Sequence, residues 1–163
     1  MRGQQNIASH FYVLCQRLYN HSRLSKVLFP TIVKKIYICN VICIYANMEK
    51  LIETIVTAIQ DKKGENIVSL DLSGFDGAIC SHFIICNSNS TSQVSAIADG
   101  IERDVLEKLG EKVWRIEGQQ NAFWIAMDYL DVVVHIFQSE LREYYRLEEL
   151  WADAPIKKYE YEL

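Results

Sequence analysis

From Met48 onward, apolar positions recur with first a helical and then a strand period. Leu51, Ile52, Ile55, Val56 and Ile59 fall on one face of a helix, which Asp61 to Gly64 should end, with Gly64 just past the cap. Asn66–Leu72 reads as a strand, Ser73–Gly77 as a turn-rich loop, and Ala78–Cys86 as a strand apolar enough to be central. Ser90 and Gln93 form a capping box ahead of a second apolar stripe: Val94, Ile97, Ala98, Ile101, Val105 and Leu109, closed by Gly110. Lys112–Ile116 is a short strand. Phe123–Met127 and Val132–Phe137 are separated by only four residues and predict a hairpin. Ser139 should cap a last helix carrying Leu141, Tyr144, Leu147 and Trp151. Pro155 stops that helix, and a charged, Tyr-rich tail follows.

The order α-β-β-α-β-β-β-α predicts one α/β (α+β) domain, a mixed sheet of about five strands flanked by helices. Its predicted bounds are 48–154, with 155–163 as a tail.

Residues 1–47 show no comparable pattern, and charge separates them further. Six of the 17 Lys and Arg residues lie there, and none of the 21 Asp and Glu residues does. Residues 48–163 therefore hold eleven bases against 21 acids, a charge of −10. A basic, acid-free leader has three readings: an organellar transit peptide, a disordered arm, or translation from a start codon upstream of a true start at Met48. The abrupt change at Met48 and the scarcity of arginine favour the third, which an intact mass of the natural product would check.

Several function classes are set aside. The most apolar run, Ile36–Ala46, has 11 residues, whereas a spanning helix needs roughly 20. Five cysteines include no C-x-x-C pair and no zinc spacing; Cys80 and Cys86, six apart in one apolar segment, should share a strand face as buried thiols. A domain at −10 repels a phosphate backbone, which excludes direct DNA binding and favours a basic protein surface. The loop Asn87–Ser92 leads into a helix but has neither glycine nor lysine, so phosphate binding there is weakly supported. A nucleotidyltransferase-like fold fits the element order, yet the chain has no D-x-D pair to hold divalent metal. Neither a catalytic residue, a metal site nor a cofactor is expected. His82 and His135 sit in strands and read as structural residues.

What is left is a surface. The hairpin sets Trp124, Met127 and Tyr129 beside Asp128 and Asp131. Aromatic anchors ringed by acids suit a basic protein partner, although core packing with a solvated turn accounts for the same pattern.

At these residues the chain resembles a known family. Trp124–Phe137 (WIAMDYLDVVVHIF), followed by Arg142–Ala154 (REYYRLEELWADA), resembles the pattern W-x-x-x-D-[YF]-G-D-V-[VI]-V-H-[VI]-F and then R-x-[FY]-Y-x-L-E-x-L-W of the ribosomal silencing factor, or Iojap-related, family. Cys80–Asp99 (CSHFIICNSNSTSQVSAIAD) is similar to the family's earlier segment. The resemblance spans Met48 to about Ala154. Leu130 replaces the family's turn glycine, and His82 replaces an aspartate, so no role carries over to residue 82.

The resemblance implies a nucleotidyltransferase-like fold without the catalytic carboxylates, and a non-enzymatic translation repressor. Such a protein would bind the large ribosomal subunit through its protein number fourteen and block subunit joining when nutrients run low. Trp124, Asp128, Tyr129 and Asp131 become the expected contacts, with Met127 in support. His135 and Arg142 are expected to be structural, and Tyr145, Leu147, Leu150 and Trp151 to dock the last helix. The alternative is a nucleotidyltransferase-like nucleotide-binding enzyme, and self-association in the family leaves a homodimer open. The expected location is the bacterial cytoplasm, or an organelle if residues 1–47 are a transit peptide.

Overall fold

The structure, a computed structural model, describes residues 46–160. All but the last two residues of the expected leader lie outside that range, as do the final three of the tail.

The first described helix, α1, covers 46–61. It buries Leu51, Ile52, Ile55, Val56 and Ile59, the predicted face, together with Ala58. Its end differs from expectation. Lys63, not Gly64, takes the left-handed conformation (φ 58°). Gly64 is needed for close approach instead, because a Cβ there would run into the Ile59 side chain.

Six strands form one sheet: β1 (Glu65–Asp71), β2 (His82–Ser88), β3 (Arg115–Glu117), β4 (Trp124–Asp128), β5 (Val132–Gln138) and β6 (Ile156–Tyr159), in the order β3-β4-β5-β2-β1-β6. The central pair β2 and β5 is parallel, and the other pairs are antiparallel. The sixth strand corrects the expected five: β6 comes from the segment read as a tail and pairs Ile67–Leu70 with Tyr159–Ile156. Its two lysines and exposed register hid it, since an edge strand needs little apolar patterning to complete a sheet.

Between the central strands runs α2 (Thr91–Leu109), capped by Ser90, whose hydroxyl accepts from Gln93 N at 3.3 Å. The capping box is only half made. Gln93 Nε2 donates instead to the carbonyls of Lys62 and Lys63, partners for the open end of α1. The buried stripe of α2 and the face of α1 cover one side of the sheet, on Ile84, Cys86, Ile125, Met127, Val132, Val134 and Ile136.

The opposite side holds Val68, Leu70, Phe83, Ile85, Val133 and Phe137 beneath α3 (Ser139–Tyr145) and a 3₁₀ turn at Leu147–Trp151. One continuous last helix was expected. Arg146, at φ 44°, breaks it, and the chain descends so that Leu147 and Trp151 reach the sheet. Leu150 points to solvent, and Tyr145 is half exposed. Ser139 does not cap α3; its hydroxyl donates to Ser88 O and accepts from Asn87 Nδ2, tying α3 to the end of β2. Residues 78–81 form a turn, not the start of β2. Cys80 and Cys86 therefore lie on opposite sides of the sheet. Burial pushes their thiols up to about 11 and about 12.

One guanidinium joins several of these elements. Arg142 Nη1 donates to Asn66 O (2.6 Å) at the β1 bulge and to Asn87 Oδ1 (2.7 Å), while Nε and Nη2 donate to Glu148 (2.9 and 2.6 Å). Trp151 sits edge-on to Phe75 and Phe83, with ring centroids 5.7 and 6.1 Å away. Trp151→Ala should lower the unfolding free energy by about 3 kcal/mol, as measured by urea denaturation.

Candidate functional site

The hairpin forms as predicted, and the alternation of a strand then divides the singled-out residues between two faces. Pairing of Trp124, Ala126 and Asp128 with Phe137, His135 and Val133 puts all six on the α3 side. Met127 and Tyr129 lie on the other side, in the core beneath α1 and α2. Met127 is 0% exposed, so it holds the hairpin from below rather than meeting a partner. The Tyr129 hydroxyl is buried without a hydrogen-bond partner among the described residues, and burial, with Glu102 and Glu111 nearby, raises its pKa.

Trp124 is half-buried at the start of β4. Its ring stacks on Phe137 (4.8 Å) and leans on Tyr145 (5.2 Å), and Nε1 donates to His135 Nδ1 at 3.3 Å. With Nδ1 accepting, His135 carries its ring proton on Nε2, which has no partner among the described residues. Burial lowers the His135 pKa to about 4.

Asp128 and Asp131 stand at the opposite end of the strand, about 13 Å away at the usual rise of a strand. The turn between them has two loop residues, Leu130 and Asp131, closed by Tyr129 N donating to Val132 O at 2.9 Å. Asp128 Oδ1 accepts from Leu130 N at 2.7 Å. Leu130 adopts φ 74°, the conformation the family's glycine would take freely; leucine is strained there by about 1–2 kcal/mol. The Asp131 carbonyl accepts from Ser81 N and His82 N (2.9 and 3.0 Å), anchoring the tip to the start of β2. Neither Asp128 nor Asp131 has an ion-pair partner among the described residues.

Glu111 joins this acidic end. Burial raises its carboxyl pKa, and the charge of Asp131 raises it further. Its place after α2 gave the sequence no signal, because helix and hairpin meet only in the fold. His82 lies 3.9 Å from Asp71, whose carboxyl is held below the usual range chiefly by the Ser73 hydroxyl. No three His, Cys, Asp or Glu side chains among the described residues are placed to hold a metal ion. No helix among them is long and apolar enough to cross a membrane.

This architecture defines a mixed α/β single domain whose singled-out residues line a hairpin, not a cleft. The family model described as ribosomal silencing factor during starvation matches residues 45–162, and the chain belongs to that family. It is 42% identical over 107 residues to a ribosomal silencing factor of Halalkalibacterium halodurans (66% of this chain, 90% of the relative). It is 40% identical over 110 residues to that of Bacillus subtilis (68% and 92%). A crystal structure of a Chromobacterium violaceum protein matches with a TM-score of 0.60 at 30% identity, covering 64% of this chain and 85% of that one.

Two stability tests follow from this geometry. An unfolded histidine binds its proton near pH 6.5, whereas His135 stays neutral in the fold until about pH 4. Stability should therefore fall with decreasing pH across that window, by about 2 kcal/mol from pH 7 to 5. His135→Gln should remove that part of the slope in urea titrations at both pH values. Leu130→Gly should raise the unfolding free energy by about 0.5 kcal/mol, because relief of the left-handed strain exceeds the added entropy of the unfolded chain.

Proposed function

We propose that this protein is a non-enzymatic translation repressor of the bacterial cytoplasm. It binds the large ribosomal subunit through that subunit's protein number fourteen and blocks docking of the small subunit when nutrients are limiting. The observation that carries this reading is the hairpin tip, where Asp128 and Asp131 are held in place by backbone hydrogen bonds and form no ion pair among the described residues, although Arg115 stands opposite Asp128 across the β3–β4 ladder. Paired acids of that kind attract a basic protein patch, and the −10 charge of residues 48–163 would steer the domain toward protein and away from ribosomal RNA. Trp124 supplies an aromatic edge farther along the same strand, while Met127 and Tyr129 keep the strand seated. Repression by this route is steric: a bound domain occupies space that the small subunit needs, and no bond is made or broken.

The full chain should co-sediment with isolated large subunits, not with small ones, and should slow their reassociation in a subunit-joining assay. Equal recovery with both subunits would overturn the reading, and a dimer that binds neither would point to an adaptor unrelated to ribosomes. Asp131→Lys should leave the thermal midpoint unchanged, since the Asp131 side chain is exposed and its carbonyl makes the structural bonds, but should weaken large-subunit binding by about tenfold or more.

A further inference from the structure

The second core lies over β1, β2 and β5, and the β3–β4 margin of the same sheet face is only partly covered. Trp124, Ala126 and Asp128 each keep part of their surface exposed there. At the Trp124 end three rings adjoin. Tyr145, 49% exposed, lies 5.2 Å from the Trp124 ring, and Tyr144, 78% exposed, stands edge-on to Tyr145 at 5.1 Å. The stack on Phe137 and the hydrogen bond to His135 fix Trp124, so the group has a rigid base. Neither tyrosine belongs to either core, so packing of the fold does not call for two aromatic side chains at these positions. Helical spacing sets Glu140 and Glu143 on the Tyr144 side of α3. Both glutamates are exposed, and neither forms an ion pair among the described residues. Single exposed rings are ordinary; three that adjoin beside unpaired acids form a contact surface.

We infer that Trp124, Tyr145 and Tyr144 form an aromatic platform for an arginine or lysine side chain of a basic protein partner, with Glu140 and Glu143 completing the charge match. The inference rests on the reading above and adds a second point of contact to the hairpin tip, on α3 and at the far end of β4. A guanidinium stacks on a ring face while its N–H groups reach a neighbouring carboxylate, and a neutral side chain offers only the first of these. The rings would also accept a nucleic-acid base. The phosphates that come with a base need free cations, however, and the arginines around the platform are committed: Arg142 to Glu148 and Asn87, Arg146 to Glu149, and Arg115 to Glu117. The lysines of β6 stand four strands away from β4, at the opposite edge of the sheet. A second copy docking symmetrically would set Glu140 and Glu143 against the same acids. A basic protein segment suits both the rings and the carboxylates.

Sedimentation binding of the full chain to isolated large ribosomal subunits tests the platform. Tyr144→Ser should bind at least about tenfold more weakly than wild type, whereas Tyr144→Phe, which keeps the ring, should stay within about twofold. Glu143→Lys should bind at least about threefold more weakly. The urea midpoints of all three variants should match wild type, because both side chains are exposed. Binding of Tyr144→Ser and Glu143→Lys within about twofold of wild type would overturn the platform while leaving the broader reading intact. Equal losses in Tyr144→Phe and Tyr144→Ser would assign the contact to the hydroxyl and also overturn it. Failure of the wild type itself to bind large subunits would overturn both readings. Wild-type binding to protein-free ribosomal RNA, as tight as to subunits and lost in Tyr144→Ser, would make the occupant RNA. A wild-type dimer that Tyr144→Ser converts to a monomer would make it a second copy, and either result overturns the assignment to a basic protein.

Discussion

Strand β5 is buried along both faces, and much of the molecule depends on that constraint. Val132, Val134 and Ile136 fill the core beneath α1 and α2, while Val133 and Phe137 fill the one beneath α3. A one-residue slip would exchange the two sets and leave neither core packed. With β5 so placed, the parallel register against β2 and the antiparallel register against β4 follow. A connection of two loop residues must then close the hairpin, and its first position has to accept a left-handed backbone. The strain at Leu130 is thus set by burial several residues away.

The two ends of the central strands contrast in chemistry. Where β2 and β5 finish, polar groups answer one another: Arg142 joins the β1 bulge, Asn87 and Glu148, and Ser139 bridges to Ser88. That network holds α3 and the 3₁₀ turn over the second core, because a partly buried guanidinium keeps its position only while its carboxylate and carbonyl partners remain. Where the strands begin, the backbone is equally well bonded and the Asp128 carboxylate accepts from Leu130 N, yet neither Asp128 nor Asp131 forms an ion pair among the described residues. Asp131 and the apolar Leu130, Ile79 and Trp114 are exposed near that end, and Asp128 is half-buried. A rigid backbone loses little freedom on binding.

Trp124 belongs to both descriptions. Its stacking on Phe137 and its hydrogen bond to His135 make it a wall of the second core, and the part left exposed continues toward Tyr145 and Tyr144. A change at Trp124 would disturb packing and surface together, so loss of binding in such a variant identifies the contact less cleanly than loss in Asp131→Lys or Tyr144→Ser.

Local pattern determined a large part of this protein. The faces of α1 and α2, the Ser90 cap, the hairpin and the apolar central strands were legible because periodicity and capping act over a few residues. The motifs around Trp124–Phe137 and Arg142–Ala154 pointed to the family for the same reason. Only the tertiary structure decided that Tyr159 and its neighbours complete the sheet, that Arg146 breaks the last helix, that Met127 is sealed in the core, and that Tyr145 comes to lie on Trp124. Each of these depends on hydrogen bonds or burial between segments distant in the chain, and such pairings leave no period in the sequence to read.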